Sequence, residues 1–266
     1  MRLEIFETDS LLALESASRI WSLFTSRSSL VRVCLNGRGR FMGKVLDHLV
    51  ELHRMNGHPS LQHVVVFVTD EAVGLDTSHP YSQHFCFWHR LLKHVDILRE
   101  NVVMLDGNAE DLVAECARFE KSIDDFGGID LMITTSGKQG ELGANEPGSS
   151  LGAFTRIKTL SKSSIEDVAD DFFFGEDDAV PKVALTIGMG TVMKARGVLL
   201  MFCGIRRSLA LESCVEASTC HMWPVSLVQH HPNCTVLCDE DATMELRVKT
   251  VKYFKGLMRT KKDLKN

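Results

Sequence analysis

The sequence predicts an α/β fold, a three-layer sandwich in which helices cover both faces of a mainly parallel, doubly wound sheet. Apolar runs of strand length recur along the 266 residues, and helical patterns separate them. These runs are rich in Val, Ile and Leu and alternate little with polar residues, as strands do when both of their faces are buried. A sheet of such strands needs a layer of helices on each side.

Six apolar runs are predicted to be strands, and five periodic stretches are predicted to be helices. The strands are expected at residues 30–35, 63–68, 129–134, 183–187, 198–203 and 235–238. The helices are expected at residues 11–24, 42–53, 111–126, 208–217 and 244–258. Residues 161–180 fit neither pattern and are expected to be a mobile insert. Because ligands of such folds bind beyond the carboxyl ends of the strands, the site is predicted in loops 36–41, 69–75, 135–148, 188–191 and 204–207.

Composition limits the classes of protein to which the chain can belong. A formal charge of −5 and a hydrophobic content of 44% predict a folded protein with one domain over residues 1–266. Basic residues do not dominate, so a nucleic-acid partner is not expected. No run of 18 or more apolar residues is present, so no membrane span is expected. The first residues carry Glu4, Glu7 and Asp9 rather than the basic start of a secretory signal, and we expect a cytoplasmic protein with reduced cysteines.

Several longer segments carry a family resemblance. The last third of the chain contains VPKVALTIGMGTVM, HMWPVSLVQHHP and CDEDATMELRVKTVKYFKGLM. Upstream lie HVVVFVTDEAVGL, VDILRENVVMLDGNAEDLVAEC and NEPGSSLGAFTRIKTL. In order and spacing these segments resemble the glucosamine-6-phosphate deaminase (isomerase) family, from about Met1 to Met258.

The resemblance implies a cytoplasmic homo-oligomer, usually a hexamer, with a phosphosugar isomerase-like Rossmann fold. Members of this family open the ring of glucosamine 6-phosphate, and an enzyme carboxylate then moves a proton between carbons 2 and 1. Ammonia leaves and fructose 6-phosphate results, with no metal and no organic cofactor. A phosphorylated amino sugar is therefore the expected partner.

The positions that carry the family's proton transfers are only partly kept. Asp70 matches the carboxylate that moves the proton, although an aspartate that caps the following turn would have the same local pattern. The usual aromatic residue that follows the Asp-Glu pair is replaced by Ala72. Where the family has Asp-Gly-His for ring opening, this chain has Gln139 and Glu141 at the aspartate and histidine positions. Glu146 is kept, and it could raise the pKa of Glu141 so that the two carboxyls relay a proton; alternatively, both are solvated loop residues.

The phosphate-binding positions have also changed. The family's hydroxyl-rich first loop is replaced by a loop with two glycines and two arginines, which could bind an anion differently or be a solvated turn. Asp171 stands where the family has a phosphate arginine, whereas Arg207 keeps the charge of the family's phosphate lysine. The candidate substrate-binding residues are Gly37, Arg38, Gly39, Arg40, Gly137, Gln139, Gly140 and Arg207.

A second, regulatory site is better kept. Some family members bind N-acetylglucosamine 6-phosphate between subunits through a serine pair, an arginine and a lysine. The matching residues here are Ser149, Ser150, Arg156 and Lys158, and Tyr253 matches a tyrosine that couples this site to activity. An edge strand that points Arg156 and Lys158 into solvent would give the same local pattern.

One cluster of metal-ligating residue types occurs near the C-terminus. It consists of Cys220, His221, His230, His231, Cys234 and Cys238. A Cys-x-x-Cys pair is absent, and the family uses these positions for packing, so no metal is expected.

Three hypotheses for function follow. The first is an isomerase-deaminase, which Asp70, Glu146 and Arg207 favour, with activity strongly impaired by the altered positions. The second is a catalytically inactive sugar-phosphate-binding or regulatory relative, which Gln139 and Glu141 favour. The third is an altered phosphosugar substrate.

Overall fold

The computed structural model describes residues 1–37, 39–173, 175–176 and 179–263, without the side chains of residues 170–172 and 261–263. The described strands are β1 (Arg2–Phe6), β2 (Val31–Leu35), β3 (Val64–Val68), β4 (Asp70–Ala72), β5 (Val102–Met104), β6 (Leu131–Thr135), β7 (Arg156–Thr159), β8 (Val183–Thr186), β9 (Val198–Phe202) and β10 (Cys234–Asp239). Seven of these form a parallel sheet in the order β1-β10-β9-β6-β2-β3-β5. A smaller antiparallel sheet, β4-β8-β7, lies beside it.

Helices cover both faces of the large sheet. The described helices are α1 (Asp9–Thr25), α2 (Gly39–Met55), α3 (Gln83–Arg90), α4 (Leu112–Asp125), α5 (Lys162–Phe172), α6 (Met189–Lys194), α7 (Ser208–Val215) and α8 (Val248–Asp263). Apolar residues of α1, α2 and α3 form one core cluster with one face of the sheet. Residues of α4, α6, α7 and α8 pack on the other face. This arrangement confirms the predicted three-layer fold.

Neighbouring residues of a central strand enter opposite cores, which explains the missing polar alternation. In β2, Val33 and Leu35 belong to the core beneath α1 and α2, while Cys34 lies in the core beneath α4 and α7. Both cores are apolar at these positions, so the residues 33–35 of the strand are hydrophobic on either side of the sheet, whereas Arg32, near its start, bonds Asp130.

All six predicted strands are present within two residues of the expected bounds, but one was placed in the wrong sheet. Residues 183–187 pair antiparallel with β4 and β7 in the small sheet rather than in the large parallel one. The last helix begins at Val248 instead of residue 244, because a 3-10 turn at Asp241–Thr243 precedes it. Residues 162–172, inside the segment expected to be a mobile insert, form α5.

Two further properties concern the whole described chain. None of its described helices combines the length and the apolar character needed to cross a membrane. All eight cysteines are free thiols; Cys34 and Cys238 are buried, whereas Cys203 is only partly buried.

Candidate active site and effector segment

A cleft of about 210 Å³ lies at the carboxyl ends of β2, β3, β6 and β9. Asn36 follows β2, Asp70 follows β3 by two positions, and Thr135 ends β6. Arg207 enters the cleft from the 3-10 turn Ile205–Arg207, which follows β9. The site therefore lies where parallel strands of a doubly wound sheet present their loops. The predicted loop 188–191 does not line the cleft. Its Gly190 donates its backbone N–H to the carbonyl of Ala153, which does not line the cleft either.

Asp70 lies in this cleft with its carboxylate fixed by buried polar neighbours. Its side chain is buried, and Nδ2 of Asn36 donates to Asp70 Oδ2 at 2.5 Å and to Thr69 Oγ1 at 2.6 Å. Oγ1 of Thr134 donates in turn to Oδ1 of Asn36 at 3.1 Å, which fixes the orientation of the asparagine. A side chain at position 143 would place Cβ only 2.6 Å from Asp70 Oδ2, so Gly143, at φ +61°, is needed for this close approach.

Glu141 also lines the cleft, and its side chain folds back onto its own loop. The backbone N–H of Gln139 donates to Glu141 Oε2 at 2.8 Å. Gly137 makes this geometry possible, because a Cβ there would lie 1.7 Å from Glu141 Oε1. Burial raises the pKa of the Glu141 carboxyl above its ordinary value of 4.5, against the effects of these backbone bonds and of Arg207. The direction of this pKa shift agrees with the sequence expectation, but the cause is burial, with Asp167 rather than Glu146 as the contributing acidic neighbour.

Gln139 and Glu146 both bind the N-terminal serines of α5. Nε2 of Gln139 donates to Oγ of Ser163 at 3.3 Å. The carboxylate of Glu146 accepts bonds from the N–H of Ser161 at 3.0 and 3.1 Å, from Ser161 Oγ at 2.8 Å and from Ser164 Oγ at 2.5 Å. Glu146 is buried, so it is not the solvated loop residue that was one alternative. It lines the cleft, and it also connects α5 to the loop that carries Glu141.

The cationic and glycine positions are distributed around the cleft. Arg207 donates from Nε to the carbonyl of Ser136 and from Nη1 to that of Cys203, both at 3.1 Å, which fixes its guanidinium at the rim. Gly37 lines the cleft, whereas Gly39 and Arg40 lie along a neighbouring hollow that shares Tyr81 with it. Arg38 and the side chain of Asp171 lie outside the described residues.

Gly140 does not line the cleft; it connects the 137–141 loop to residues 223–225. Its carbonyl accepts the N–H of Val225 at 2.9 Å, and a Cβ at this position would lie 2.8 Å from the ring of Trp223. With φ at +73°, the position also favours glycine on backbone grounds. Its contribution to the site is to hold the 137–141 loop against residues 223–225.

Four of the predicted effector residues lie on or before β7, the edge strand of the small sheet, and the fifth, Tyr253, lies on α8. Arg156 is half-buried, and burial lowers its pKa below the ordinary value of 12.5. Nη1 of Arg156 and Oγ of Ser149 are both buried and make no hydrogen bond with the described residues. Lys158 is half-buried and Ser150 is exposed, while Tyr253 on α8 is 62% exposed. Arg156 therefore does not simply point into solvent.

Of the histidines and cysteines near the C-terminus, His231, Cys234 and Cys238 are buried, whereas His221 and His230 are exposed. His231 is buried, with Nε2 at 2.9 Å from the carbonyl of Ala195 and Nδ1 accepting the N–H of Asn233 at 3.1 Å. Within the described ranges, no three His, Cys, Asp or Glu side chains are arranged to hold a metal ion.

Four polar residues of the cleft lie outside the loops that the sequence predicted. Tyr81, Gln83, Ser164 and Asp167 line the cleft from α5, from the start of α3 and from the turn before it. Neither helix was predicted, so no sequence pattern pointed to these positions. Tyr81 and Phe173, with ring centroids 5.5 Å apart, belong with Ala72 to one small apolar cluster. Aromatic packing beside Asp70 is thus supplied by these residues although position 72 is alanine.

Comparisons with known proteins identify related sequences. The chain matches the family described as "Glucosamine-6-phosphate isomerases/6-phosphogluconolactonase" over residues 9–237. It is 50% identical over 210 residues to glucosamine-6-phosphate deaminase 2 of Homo sapiens, covering 79% of this chain and 75% of the relative. It is 49% identical over 211 residues to the deaminase of Drosophila pseudoobscura pseudoobscura, covering 79% of this chain and 76% of the relative.

Solved structures show the same relationship. A protein described as a monomeric glucosamine-6-phosphate deaminase superposes with a TM-score of 0.87 at 29% identity, covering 93% of this chain and all of that one. The 6-phosphogluconolactonase of Trypanosoma cruzi shares the fold, with a TM-score of 0.74 at 15% identity over 92% of this chain and 96% of that one. The chain therefore belongs to the glucosamine-6-phosphate isomerase/6-phosphogluconolactonase family.

Proposed function

We propose that this chain is a cytoplasmic protein of amino-sugar metabolism that binds glucosamine 6-phosphate in the cleft and deaminates it far more slowly than its relatives do. Family membership supports the substrate class, and Asp70 supports the proton transfer because its carboxylate is held in the cleft by Asn36. Arg207, with its guanidinium fixed at the rim, supplies a cation for the phosphate.

One observation supports the impairment: no histidine is among the described residues that line the cleft. Ring opening needs a group that accepts the anomeric proton and returns one to the ring oxygen, and an imidazole suits this near neutral pH. Glu141 stands at that position, but its carboxylate is folded onto the backbone of Gln139. Gln139 cannot titrate, and its amide donates to Ser163 on α5. A ring-opening shuttle is therefore missing from this arrangement, and a Glu141–Glu146 relay would have to open the bonds that hold both carboxylates.

The test is an ammonia-release assay with glucosamine 6-phosphate, run beside a relative that keeps Asp-Gly-His. Loss of a general acid–base group slows a reaction by about 10²- to 10⁴-fold, and we expect a deficit of that size. Calorimetric titration of the same protein checks that the sugar phosphate binds. Ammonia release at about 10 per second or faster would contradict the proposal.

A second candidate function is that of a binding or regulatory relative that responds to N-acetylglucosamine 6-phosphate. The observation that favours it is the pair of buried donors, Ser149 Oγ and Arg156 Nη1, that find no acceptor among the described residues. A phosphate dianion supplies strong acceptors for a hydroxyl and a guanidinium together. The resemblance places this ligand between subunits, so an oligomer, expected to be a hexamer, belongs to this proposal.

A further inference from the structure

Gln83 is a buried polar side chain that the fold itself does not explain. It is the first residue of α3, it is 1% exposed, and it lines the cleft. Its Oε1 atom accepts no hydrogen bond from the described residues. More than about 90% of buried polar groups in folded proteins are hydrogen-bonded, and an unsatisfied one costs stability. A partner from outside the chain would satisfy this atom.

The backbone at Gln83 is anchored on the Asp70 side of the cleft. The N–H groups of Gln83 and His84 donate to the buried carboxylate of Glu71 at 3.3 and 3.1 Å. Oγ of Ser82 donates to the same carboxylate at 2.9 Å. Glu71 directly follows Asp70, so the start of α3 is tied to the strand that carries the proton-transfer carboxylate.

We propose that the Gln83 amide oxygen accepts a hydrogen bond from the amine or hydroxyl on carbon 2 of the bound sugar phosphate. This inference rests on the proposed function, in which Asp70 moves the proton between carbons 2 and 1. Gln83 lines the same cleft as Asp70 and Glu141, and a ligand that satisfies its amide oxygen must carry a hydrogen-bond donor. An amino sugar is such a ligand, so Gln83 acts as a specificity-determining residue for the group on carbon 2.

The test compares two probes that differ at carbon 2. Calorimetric titration is carried out with glucosamine 6-phosphate, which has an amine there, and with 2-deoxyglucose 6-phosphate, which has no donor. We expect Gln83→Met to weaken binding of the amino sugar by about 10-fold, the equivalent of one hydrogen bond, and to leave binding of the deoxy sugar unchanged. Gln62→Met is the matched control, because Gln62 is exposed and outside the cleft.

Melting temperature without ligand separates binding from a structural role. Gln83→Met removes an unsatisfied buried amide, so the midpoint should be unchanged or higher, and Gln83→Leu gives a second variant if the first fails to fold. A lowered midpoint in both variants, or equal weakening for the two sugars, would overturn the assignment of Gln83. If the unmodified protein binds neither sugar, the proposed function fails and this inference fails with it. If the protein prefers the amino sugar and Gln83→Met keeps that preference, only the inference fails.

Discussion

At the scale of single residues, Asp70, the proposed proton carrier, and Glu141, at the proposed ring-opening position, are held in different ways. Asp70 is fixed through Asn36 and Thr134 across the ends of three neighbouring strands, so the carboxylate is positioned by the sheet itself. Glu141 depends instead on one local loop, where Gly137 leaves the space for its side chain. A substitution in that loop can therefore change the chemistry of the site without disturbing the sheet.

The raised pKa of Glu141 predicts how stability depends on pH. Because the folded state favours the protonated carboxyl, it binds more protons than the unfolded state between pH 4.5 and the folded pKa. The contribution of Glu141 to the free energy of unfolding is thus fully present below pH 4.5. It is lost as the pH rises through the pKa that this carboxyl has in the folded state. Glu141→Gln removes this titration, so its melting midpoint should exceed that of the unmodified protein at pH 7, and the difference should shrink towards pH 4. A difference that does not vary with pH would contradict the assignment.

Restoring the ring-opening pair should recover activity only in part. Gln139→Asp together with Glu141→His returns a titrating shuttle, and we expect faster ammonia release than in the unmodified protein. The rate should stay below the roughly 10 per second typical of enzymes, because remote phosphate contacts help to position the reacting carbons. Arg40 lies along the neighbouring hollow rather than in the cleft, so the recast first loop would still lack its family contacts.

The two single variants serve as controls for this measurement. Neither should match the double variant, since the imidazole needs its aspartate partner. Adding Asp171→Arg and a rebuilt first loop should then raise the rate further. Full family rates in the double variant alone would show that the phosphate positions are not limiting.

At the scale of elements, the start of α5 depends on the carboxylate of Glu146, which lies in the same long loop as Glu141. Glu146→Ala removes the acceptor of Ser161 and Ser164 at the start of α5. Leaving such donors unsatisfied costs about 1–3 kcal/mol, so amide hydrogen exchange in α5 should accelerate by about 5- to 150-fold if local opening governs it. Mass spectrometry of peptides from residues 162–169 measures this change.

An exposed glutamate on the same helix provides the control. Glu166 forms only a surface ion pair with Lys162 at 3.4 Å, and such pairs contribute little. Glu166→Ala should therefore leave the exchange of α5 almost unchanged. Equal acceleration in both variants would show that Glu146 has no special role in anchoring the helix.

Strands buried on both faces and the covering helices α1, α2, α4, α7 and α8 were predictable from the sequence, whereas the edge strands β1 and β5 and the helices α3, α5 and α6 were not. β3 is a continuous apolar run because each of its residues enters one of the two cores, and β2 follows the same pattern except at Arg32. β1 is an edge strand that contains Arg2 and Glu4, and β5 has only three residues, so neither gave a clear pattern. The role of α5 depends on Glu146 bonding serines 15 and 18 positions away, a tertiary contact that no local pattern contains. Asp70 was identified through a family segment, whereas Gln83 had no such signal.

At the scale of the whole molecule, the predicted effector residues and α8 favour the proposal that N-acetylglucosamine 6-phosphate acts on an oligomer of this chain. Tyr253 and Leu257, one helical turn apart on α8, are 62% and 51% exposed in the single chain. Neighbouring apolar side chains exposed on one face of a helix are found at surfaces that contact another protein. Arg156, on the edge strand of the small sheet, has a buried guanidinium nitrogen that lacks an acceptor among the described residues. A ligand and a second subunit together would cover both features.

N-acetylglucosamine 6-phosphate should therefore stabilise the assembled protein through Arg156. A ligand that binds only the folded state stabilises it by mass action, by about 2.7 kcal/mol at a hundredfold excess over Kd, and so raises the melting temperature. Differential scanning calorimetry should show this shift in the unmodified protein and in Arg207→Ala, which changes the cleft. Arg156→Ala should abolish it, because the guanidinium supplies the fixed charge for the phosphate. Sedimentation velocity on the same samples should show that protein diluted to monomers loses the shift. A shift that survives Arg156→Ala but is lost in Arg207→Ala would place the ligand in the cleft instead.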